Sequence, residues 1–239
     1  MLTDSPLDWL GSTPLIDKEH PRVREKAADL ARGGKTDRDV ALAVFNFVRD
    51  EIEFGFARGF WKSKASQVLA TGRGYCNTKS TLFIALLRAN RIPARQVFVD
   101  IHSSVLHGIL NPGTPYVDHS YVEVFLEGDW IPTDAYIVDR ALFEPAQARV
   151  LAENRLMGYG VHGTGTMLWD GKSSAFSQFN LLDPHSISTR RWGLFSDVGD
   201  FYRFADDPWN RLNPLFRAAM GAMGNAANKR ADAIRASRG

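Results

Sequence analysis

The residues best suited to chemistry are a cysteine, a histidine and an aspartate that stand far apart in the chain. Cys76, the only cysteine, follows the glycine-containing stretch Gly72-Arg73-Gly74-Tyr75 and begins an apolar helical run that extends to Ala89. In the first turn of a helix, free N–H groups and the positive end of the dipole favour an anion, so this position predicts a lowered thiol pKa. Cys76 is therefore a candidate nucleophile, and the alternative is a small residue of the core.

A thiol nucleophile needs a base to take its proton and an acidic partner to hold that base. His119 and Tyr121 lie on one face of a predicted strand, because side chains alternate along a strand. If Glu127-Gly128 forms a two-residue hairpin loop, Asp134 of the next strand lies opposite Tyr121 and shares the face of His119. A Gly128-Asp129 loop would pair Asp134 with Glu123 and keep the same face, whereas a three-residue loop would reverse it. The spacing therefore permits a triad with Cys76 without requiring it.

Three motifs containing these residues resemble those of the transglutaminase-like superfamily. They are Gly74-Tyr75-Cys76, Asp118-His119-Ser120-Tyr121-Val122-Glu123-Val124 and Trp130-Ile131-Pro132-Thr133-Asp134, and their order and spacing match over about Asp37 to Phe143. The resemblance implies a papain-like α+β core, in which a buried helix carrying the cysteine packs against an antiparallel sheet. It also implies that Cys76 is the nucleophile, His119 the general base and then acid, and Asp134 the group that orients the imidazole.

The reaction expected from such a triad is acyl transfer. Attack of the thiol on an amide, ester or thioester carbonyl gives a Cys76 thioester, which water or an amine then resolves. Amide hydrolysis and transamidation or amide-bond formation both stay open, with a peptide, amide or acyl substrate and an amine as the second partner. Many superfamily members carry an aromatic residue where Asn77 stands, so the acyl group is not predicted. The alternative is a catalytically silent binding or scaffold protein that keeps the fold.

An oxyanion hole and the cleft walls need further side chains. The Cys76 backbone N–H is one expected donor, and Trp61 and Gln67 are candidate side-chain donors. Packing in the core or the cleft wall is the alternative for Trp61. Tyr121 is expected either to line the cleft or to pack beside it, and the stretch after Ala141 is expected to help wall the cleft.

Other polar residues near the motifs have simpler interpretations. Asp118 is expected on the strand face opposite His119, and Lys79 and Arg73 are expected to be solvated. His102 and His107, five residues apart, suit neither a strand face nor a helix face, and no second cysteine assists them. The sequence therefore predicts no metal and no cofactor.

The elements around the motifs favour an α+β fold with a helical C-terminal extension. Residues 1–143 are expected to form the core (N-terminal helices, cysteine helix, sheet) and residues 144–239 an extension that packs on it without folding independently. Predicted helices span Pro21–Arg32, a second helix capped by Thr36 and Asp39, and residues 145–156. Predicted strands span 52–56, 94–100, 118–126 and 129–134. A glycine-rich segment, Gly158–Gly165, is expected to be a mobile lid or a surface loop, and Asp206-Asp207-Pro208 is expected to begin a last helix, with a thin apolar stripe that predicts loose docking.

The composition is that of a globular protein. The chain has 239 residues, of which 44% are hydrophobic and 23% charged, enough to bury a substantial core. The net charge is +2 with basic residues spread along the chain, which argues against nucleic acid as a partner. A single cysteine, and the absence of a visible secretory signal or membrane-spanning run, predict a cytoplasmic protein without a membrane partner. The sequence does not predict the oligomeric state.

Overall fold

The computed structural model describes residues 5–57, 59–205 and 214–237, which contain both helices and strands. The helices are α1 (Pro21–Ala31), α2 (Asp37–Asp50), α3 (Ala65–Thr71), α4 (Cys76–Ala89), α5 (Arg140–Ala152), α6 (Val198–Phe204) and α7 (Pro214–Ala236). The strands are β1 (Glu53–Phe54), β2 (Arg73–Gly74), β3 (Ala94–His102), β4 (Tyr116–Leu126), β5 (Asp129–Thr133), β6 (Met157–Gly158), β7 (Val161–His162) and β8 (Ile187–Phe195). The predicted α+β class is confirmed.

The main sheet has four antiparallel strands in the order β5-β4-β3-β8. Leu126 pairs with Asp129, so Glu127 and Gly128 form the predicted two-residue loop. Both loop residues have left-handed φ angles, 54° and 102°, which match the tight turn of a hairpin. This turn fixes the register on which the position of Asp134 depends.

The fourth strand, β8, was not predicted from the sequence. It pairs with β3 from Gln96↔Phe195 to Ile101↔Ile187, and its register shifts twice along that length. Irregular pairing of this kind interrupts the strict alternation by which a strand is recognised in a sequence.

Helix α4 is the centre of the core, because every residue from Cys76 to Arg88 is buried. It packs against α1, α2, α3 and strand β4. Gly74 permits the close approach of the chain before the helix, since a Cβ there would lie 2.8 Å from Thr78 Oγ1. The helix end is tied to the sheet because Arg88 Nε donates to the Ala94 carbonyl at 3.0 Å. A buried cysteine helix packed on an antiparallel sheet is thus confirmed.

The N-terminal helices also confirm their predicted signals. Thr36 Oγ1 accepts a hydrogen bond from the Asp39 N–H, and Asp39 Oδ2 accepts one from the Thr36 N–H, which forms a capping box at the start of α2. The strand predicted at 52–56 is shorter than expected. Only Glu53–Phe54 is extended, and it pairs in parallel with β2 rather than joining the main sheet.

Two predictions after residue 139 are wrong. The helix expected from Pro145 begins at Arg140, because Asp139 accepts the Leu142 N–H and caps it, and Pro145 lies inside the helix. The segment Gly158–Gly165 is neither a surface loop nor a lid. It contains the mostly buried hairpin β6–β7, which turns at Tyr159 and Gly160.

The start of a last helix expected at Asp206-Asp207-Pro208 lies outside the described residues. Within them, α7 docks by specific polar contacts, so the expected loose docking is wrong. Arg235 Nη2 donates to Asp139 Oδ2 at 2.6 Å, and Asn228 Oδ1 accepts from the Phe56 N–H at 2.8 Å. These contacts act together with Ala227, Ala231 and Ile234, the buried residues by which α7 joins the hydrophobic core.

The division into a core of residues 1–143 and an extension of residues 144–239 stays a prediction. Helix α5 begins at Arg140 and therefore crosses that boundary, and it contacts α7. Across the ranges 5–57, 59–205 and 214–237, no helix combines the length and the apolar character that crossing a bilayer requires.

Candidate active site

Cys76 is the first residue of α4, and only 8% of its surface is exposed. The chain enters the helix at Tyr75, whose N–H donates to Thr78 Oγ1 at 3.0 Å. The N–H groups of the first helical turn, that of Cys76 among them, have no acceptor within the helix. The sulfur therefore lies beside backbone donors of the kind that stabilise an oxyanion.

His119 and Asp134 meet as the hairpin register predicts. Thr133 pairs with Val122, so the next residue, Asp134, lies opposite Tyr121 and one diagonal step from His119. His119 Nε2 lies 3.0 Å from Asp134 Oδ2, and both side chains are buried. This hydrogen bond favours the tautomer with its proton on Nε2, which leaves Nδ1 able to accept a proton.

The other carboxylate oxygen of Asp134 is held by Ser177, a residue that the sequence analysis missed. The backbone N–H of Ser177 and its Oγ both donate to Asp134 Oδ1, the hydroxyl at 3.0 Å. The segment is fixed in place because Thr133 Oγ1 donates to the Ala175 carbonyl at 3.0 Å. Each oxygen of the carboxylate therefore has a donor, which fixes its orientation toward the imidazole.

Burial dominates the pKa of the Cys76 thiol. Burial, with a further contribution from the negative charge of Asp118, raises the pKa of the thiol to about 12. The backbone N–H groups of Ser120 and Asn77 hydrogen-bond the sulfur and lower the pKa, but burial outweighs them. The lowered pKa predicted from the helix N-terminus is therefore wrong, because the sulfur is removed from water and stands near a carboxylate.

Asp118, which was expected on the strand face opposite His119, belongs to the site because it lines the cavity that contains Cys76. Its Oδ2 accepts from Asn77 Nδ2 at 3.3 Å and from the Tyr202 hydroxyl at 2.9 Å. Asn77 Nδ2 also lies 3.1 Å from the Tyr202 oxygen. Asp118 is therefore enclosed by α4 and α6 rather than exposed, and Asn77, directly after the cysteine, helps hold it.

Cys76 and His119 line one cavity of about 100 Å³. Its other lining residues are mostly apolar: Phe54, Phe56, Phe60, Tyr75, Ile101, Val105, Leu106, Leu110, Pro112, Val117, Asp118, Gln178 and Tyr202. Gln178 and Tyr202 come from the chain after Ala141, which was expected to help wall the cleft.

The two candidate oxyanion side chains do not line this cavity. Trp61 is buried against Tyr202, with ring centroids 4.9 Å apart, and its indole N–H has no hydrogen-bond partner among the described residues. Gln67 is exposed, and its Oε1 accepts the Lys64 N–H at 2.9 Å at the start of α3. Core packing is thus the better interpretation of Trp61, and Gln67 is a helix-capping residue.

Tyr75 lines the cavity and Tyr121 does not. Tyr121, a candidate cleft residue, packs against Phe176 and Phe179 and does not line the cavity. Tyr75, which was not singled out, lines the cavity beside Cys76, and its buried hydroxyl makes no hydrogen bond of regular geometry. Its position directly before Cys76 was the feature of the sequence that could have indicated a place in the site.

The basic residues near the cysteine are structural. Lys79, expected to be solvated, is fully buried, and its Nζ donates to the Ile52 carbonyl at 2.5 Å. Burial lowers the pKa of Lys79 to about 7. Arg73 forms ion pairs with Glu53 and Asp232. Neither residue lines the cavity that contains the thiol.

His102 and His107 have local partners. His102 Nδ1 lies 2.8 Å from Ser104 Oγ, and His107 Nε2 lies 4.0 Å from Glu153 Oε2. Among the residues that the structure describes, no three histidine, cysteine or acidic side chains are grouped so that they could hold a metal ion.

Residues 24–135 match the family model described as the transglutaminase-like superfamily. The resemblance carried by the three sequence motifs is thereby confirmed. The matched segment contains Cys76 and His119 and reaches Asp134, whose individual roles stay a prediction.

Two solved structures are similar to part of the chain. One is a "putative cysteine protease" from Cytophaga hutchinsonii, with 20% identity and a TM-score of 0.44 over 55% of this chain and 42% of that one. The other is a "putative protease" from Parabacteroides distasonis, with 12% identity and a TM-score of 0.37 over 54% of this chain and 26% of that one. The chain thus spans less than half the length of either structure. No curated protein matches the chain.

Proposed function

We propose that the protein is a cysteine-dependent acyltransferase or amidase that acts through a Cys76 thioester. The observation that carries the proposal is the 3.0 Å bond between His119 Nε2 and Asp134 Oδ2, in a histidine that lines one cavity with Cys76. The match to the transglutaminase-like superfamily supports cysteine-dependent catalysis in general terms. The substrate class is a peptide, amide, ester or acyl thioester, and an amine is a possible acceptor.

The proposed steps use only residues of this chain. As the sulfur of Cys76 attacks the carbonyl carbon, His119 Nδ1 takes the thiol proton and later gives it to the leaving amine, alcohol or thiol. Water or an amine then attacks the thioester, loses a proton to His119, and releases the sulfur as a thiol. Because burial raises the pKa of the thiol, the proposed role of His119 is that of a general base during attack rather than of one partner in a standing ion pair.

The developing oxyanion needs donors near the sulfur. The Cys76 backbone N–H is one, and the hydroxyl of Tyr75 is the better second candidate than Trp61 or Gln67. Tyr75 lines the cavity and carries a buried hydroxyl without a regular partner, whereas the other two do not line it. A substrate oxygen would satisfy that hydroxyl, which is costly to leave unpaired.

A second candidate function is a catalytically silent binding protein. The thiol pKa of about 12 favours it, since a pure core cysteine has the same property. The complete set of His119, Asp134 and Ser177 contacts favours the enzyme, because a binding protein has no physical need to orient an imidazole beside a thiol.

The test is mass spectrometry of the intact protein after exposure to acyl N-acetylcysteamine thioesters. We expect one acyl group on Cys76 in the wild-type protein and none in Cys76→Ala. His119→Asn should slow the acylation by about 10²-fold or more, because it removes the base. Tyr75→Phe should slow it by about tenfold or more, because it removes one oxyanion donor.

The matched control for the histidine variant is His185→Asn, since His185 is exposed and does not line the cavity. It should be acylated at the wild-type rate. Absence of an adduct with every thioester, or an adduct that persists in Cys76→Ala, would favour the silent protein.

A further inference from the structure

The cavity beside Cys76 has walls that suit a hydrocarbon. Apart from the reacting groups, most of its lining side chains are aromatic or aliphatic, from β1 and the adjoining loop, from β3 and from the connection before β4. Phe56 and Phe60 stack at 5.7 Å, and both rings contact Tyr75 at 5.1 and 5.4 Å. A substrate group placed among these rings gives up its contact with water, which favours apolar groups and penalises polar ones.

The polar side chains in the walls are already engaged with the protein. Gln178 Nε2 donates to the Gly160 carbonyl at 2.7 Å, and the Tyr202 hydroxyl donates to Asp118 at 2.9 Å. The hydroxyl of Tyr75 stands next to the cysteine and suits the reacting carbonyl rather than the far end of an acyl group. A terminal carboxamide in this cavity would therefore lose hydrogen bonds to water and gain few in return.

The charge of the cavity wall also selects among acyl groups. Asp118 is a carboxylate in the cavity wall, and no lysine or arginine is among the described residues that line it. An anionic acyl group would therefore meet a like charge in a poorly hydrated space. A cationic group would meet an aspartate whose Oδ2 already accepts two hydrogen bonds, and it would lose its hydration among the rings.

We infer that the acyl group transferred to Cys76 is neutral and apolar, of the size of a leucine or phenylalanine side chain or a medium aliphatic chain, and is neither a glutamine-like amide nor an acid. This rests on the proposed thiol chemistry and names the substrate class of the same site. The amide, ester or thioester that the protein accepts is one whose carbonyl carries such a group.

The experiment compares acyl groups of similar length that differ only at the far end. N-acetylcysteamine thioesters of hexanoate, of glutaramate (a terminal carboxamide), of glutarate (a terminal carboxylate) and of 4-(trimethylammonio)butanoate acylate the full chain, and mass spectrometry gives each rate. We expect hexanoyl to exceed glutaramoyl by at least tenfold, since one buried methylene is worth roughly fourfold. Glutaryl and the cationic group should both be slower still.

Two variants locate the selection in the cavity. Val117→Thr adds a hydroxyl to the wall at nearly constant volume and should lower the hexanoyl-to-glutaramoyl ratio severalfold, whereas Val40→Thr, a half-buried valine of α2, should not. Asp118→Asn should raise the glutaryl-to-glutaramoyl ratio severalfold and leave the hexanoyl-to-glutaramoyl ratio unchanged. Ratios cancel any change in thiol reactivity that the variants share.

The outcomes separate this inference from the proposed function. Acylation of Cys76 that is equal for all four groups, or fastest for a polar or charged group, overturns the inference while the thiol chemistry stands. If no thioester acylates the wild-type protein, the proposed chemistry fails. The inference about the cavity is then tested by calorimetry, which measures how tightly neutral amides bind to Cys76→Ala. Tighter binding of hexanamide than of glutaramide would still support an apolar site, and equal or weaker binding would overturn it.

Discussion

Two aspartates flank the thiol and the imidazole. Both negative charges raise the pKa of the Cys76 thiol, and only Asp134 also holds the imidazole. Asp134 lies beyond His119, fully buried, with one oxygen on the imidazole and the other on Ser177. Asp118 lies on the thiol side, held by Asn77 and Tyr202, and its charge raises the pKa of Cys76. Both carboxylates thus oppose thiolate formation, Asp118 more than Asp134, whereas Asp134 alone supports the base.

A raised thiol pKa does not prevent Cys76 from reacting with a bound carbonyl. Burial disfavours every charge at the sulfur, including a thiolate that would react with solutes at random. An imidazole held by Asp134 can still take the proton once a carbonyl is in place, because the positive charge then forms next to a carboxylate. We therefore expect removal of the Asp134 carboxylate to slow acylation of Cys76, and removal of the Asp118 carboxylate to speed alkylation of its thiol.

The largest effect is expected for Asp134→Asn. The amide has nearly the same shape as the carboxylate but only one acceptor oxygen. It cannot accept hydrogen bonds from both His119 and Ser177, so the imidazole would adopt the wrong tautomer. In a Ser-His-Asp enzyme this type of change lowers turnover by about 10⁴-fold, and we expect a loss of about 10³ to 10⁴-fold in Cys76 acylation here. The rate with the hexanoyl thioester measures it.

Thermal unfolding followed by circular dichroism is the control for that variant. A protein that melts as one cooperative unit and is slow in acylation supports the role of Asp134. Retention of more than a tenth of the wild-type rate in a folded variant would show that the imidazole does not depend on this carboxylate.

An effect of intermediate size and opposite sign is expected for Asp118→Asn. The variant removes a negative charge that raises the thiol pKa, so the pKa should fall below its value of about 12. Iodoacetamide reacts with the thiolate, so its rate at pH 8 should rise by up to about tenfold for each unit by which the pKa falls. The midpoint of the rate against pH should move to lower pH.

Asp129→Asn is the matched variant for this measurement, because it removes the same charge from an exposed residue of the hairpin. It should leave the alkylation profile where it is. If the alkylation rate of Asp118→Asn depends on pH as in the wild-type protein, or if its midpoint moves to higher pH, the Asp118 charge does not raise the thiol pKa.

The contact between His119 and Asp134 could be predicted from the sequence, whereas the placement of Asp118 beside Cys76 could not. Gly128 favours a turn between the two strands, and a two-residue loop of Glu127 and Gly128 fixes which residues share a face. The position of Asp134 therefore followed from local rules. The placement of Asp118 depends on α6 reaching across the sheet with Tyr202, a tertiary contact that no periodic pattern announces.

Two other differences have the same origin. The thiol pKa was predicted from the helix start alone, whereas burial and a carboxylate from another element decide it. Ser177 lies in a glycine- and serine-rich stretch without helical or strand period, so its approach to Asp134 could not be recognised. Residues fixed by one element were predictable, and residues fixed by contact between distant elements were not.

The smallest effect is expected for Ser177→Ala. The hydroxyl donates to Asp134 Oδ1 at 3.0 Å, but the Ser177 backbone N–H donates to the same oxygen and is kept in the variant. Acylation should therefore fall by only about twofold to tenfold, and the free energy of unfolding by about 1 kcal/mol. Ser174→Ala, an exposed residue of the same segment, should change neither. A loss as large as that of Asp134→Asn would mean that the hydroxyl, and not the hairpin register, positions the carboxylate.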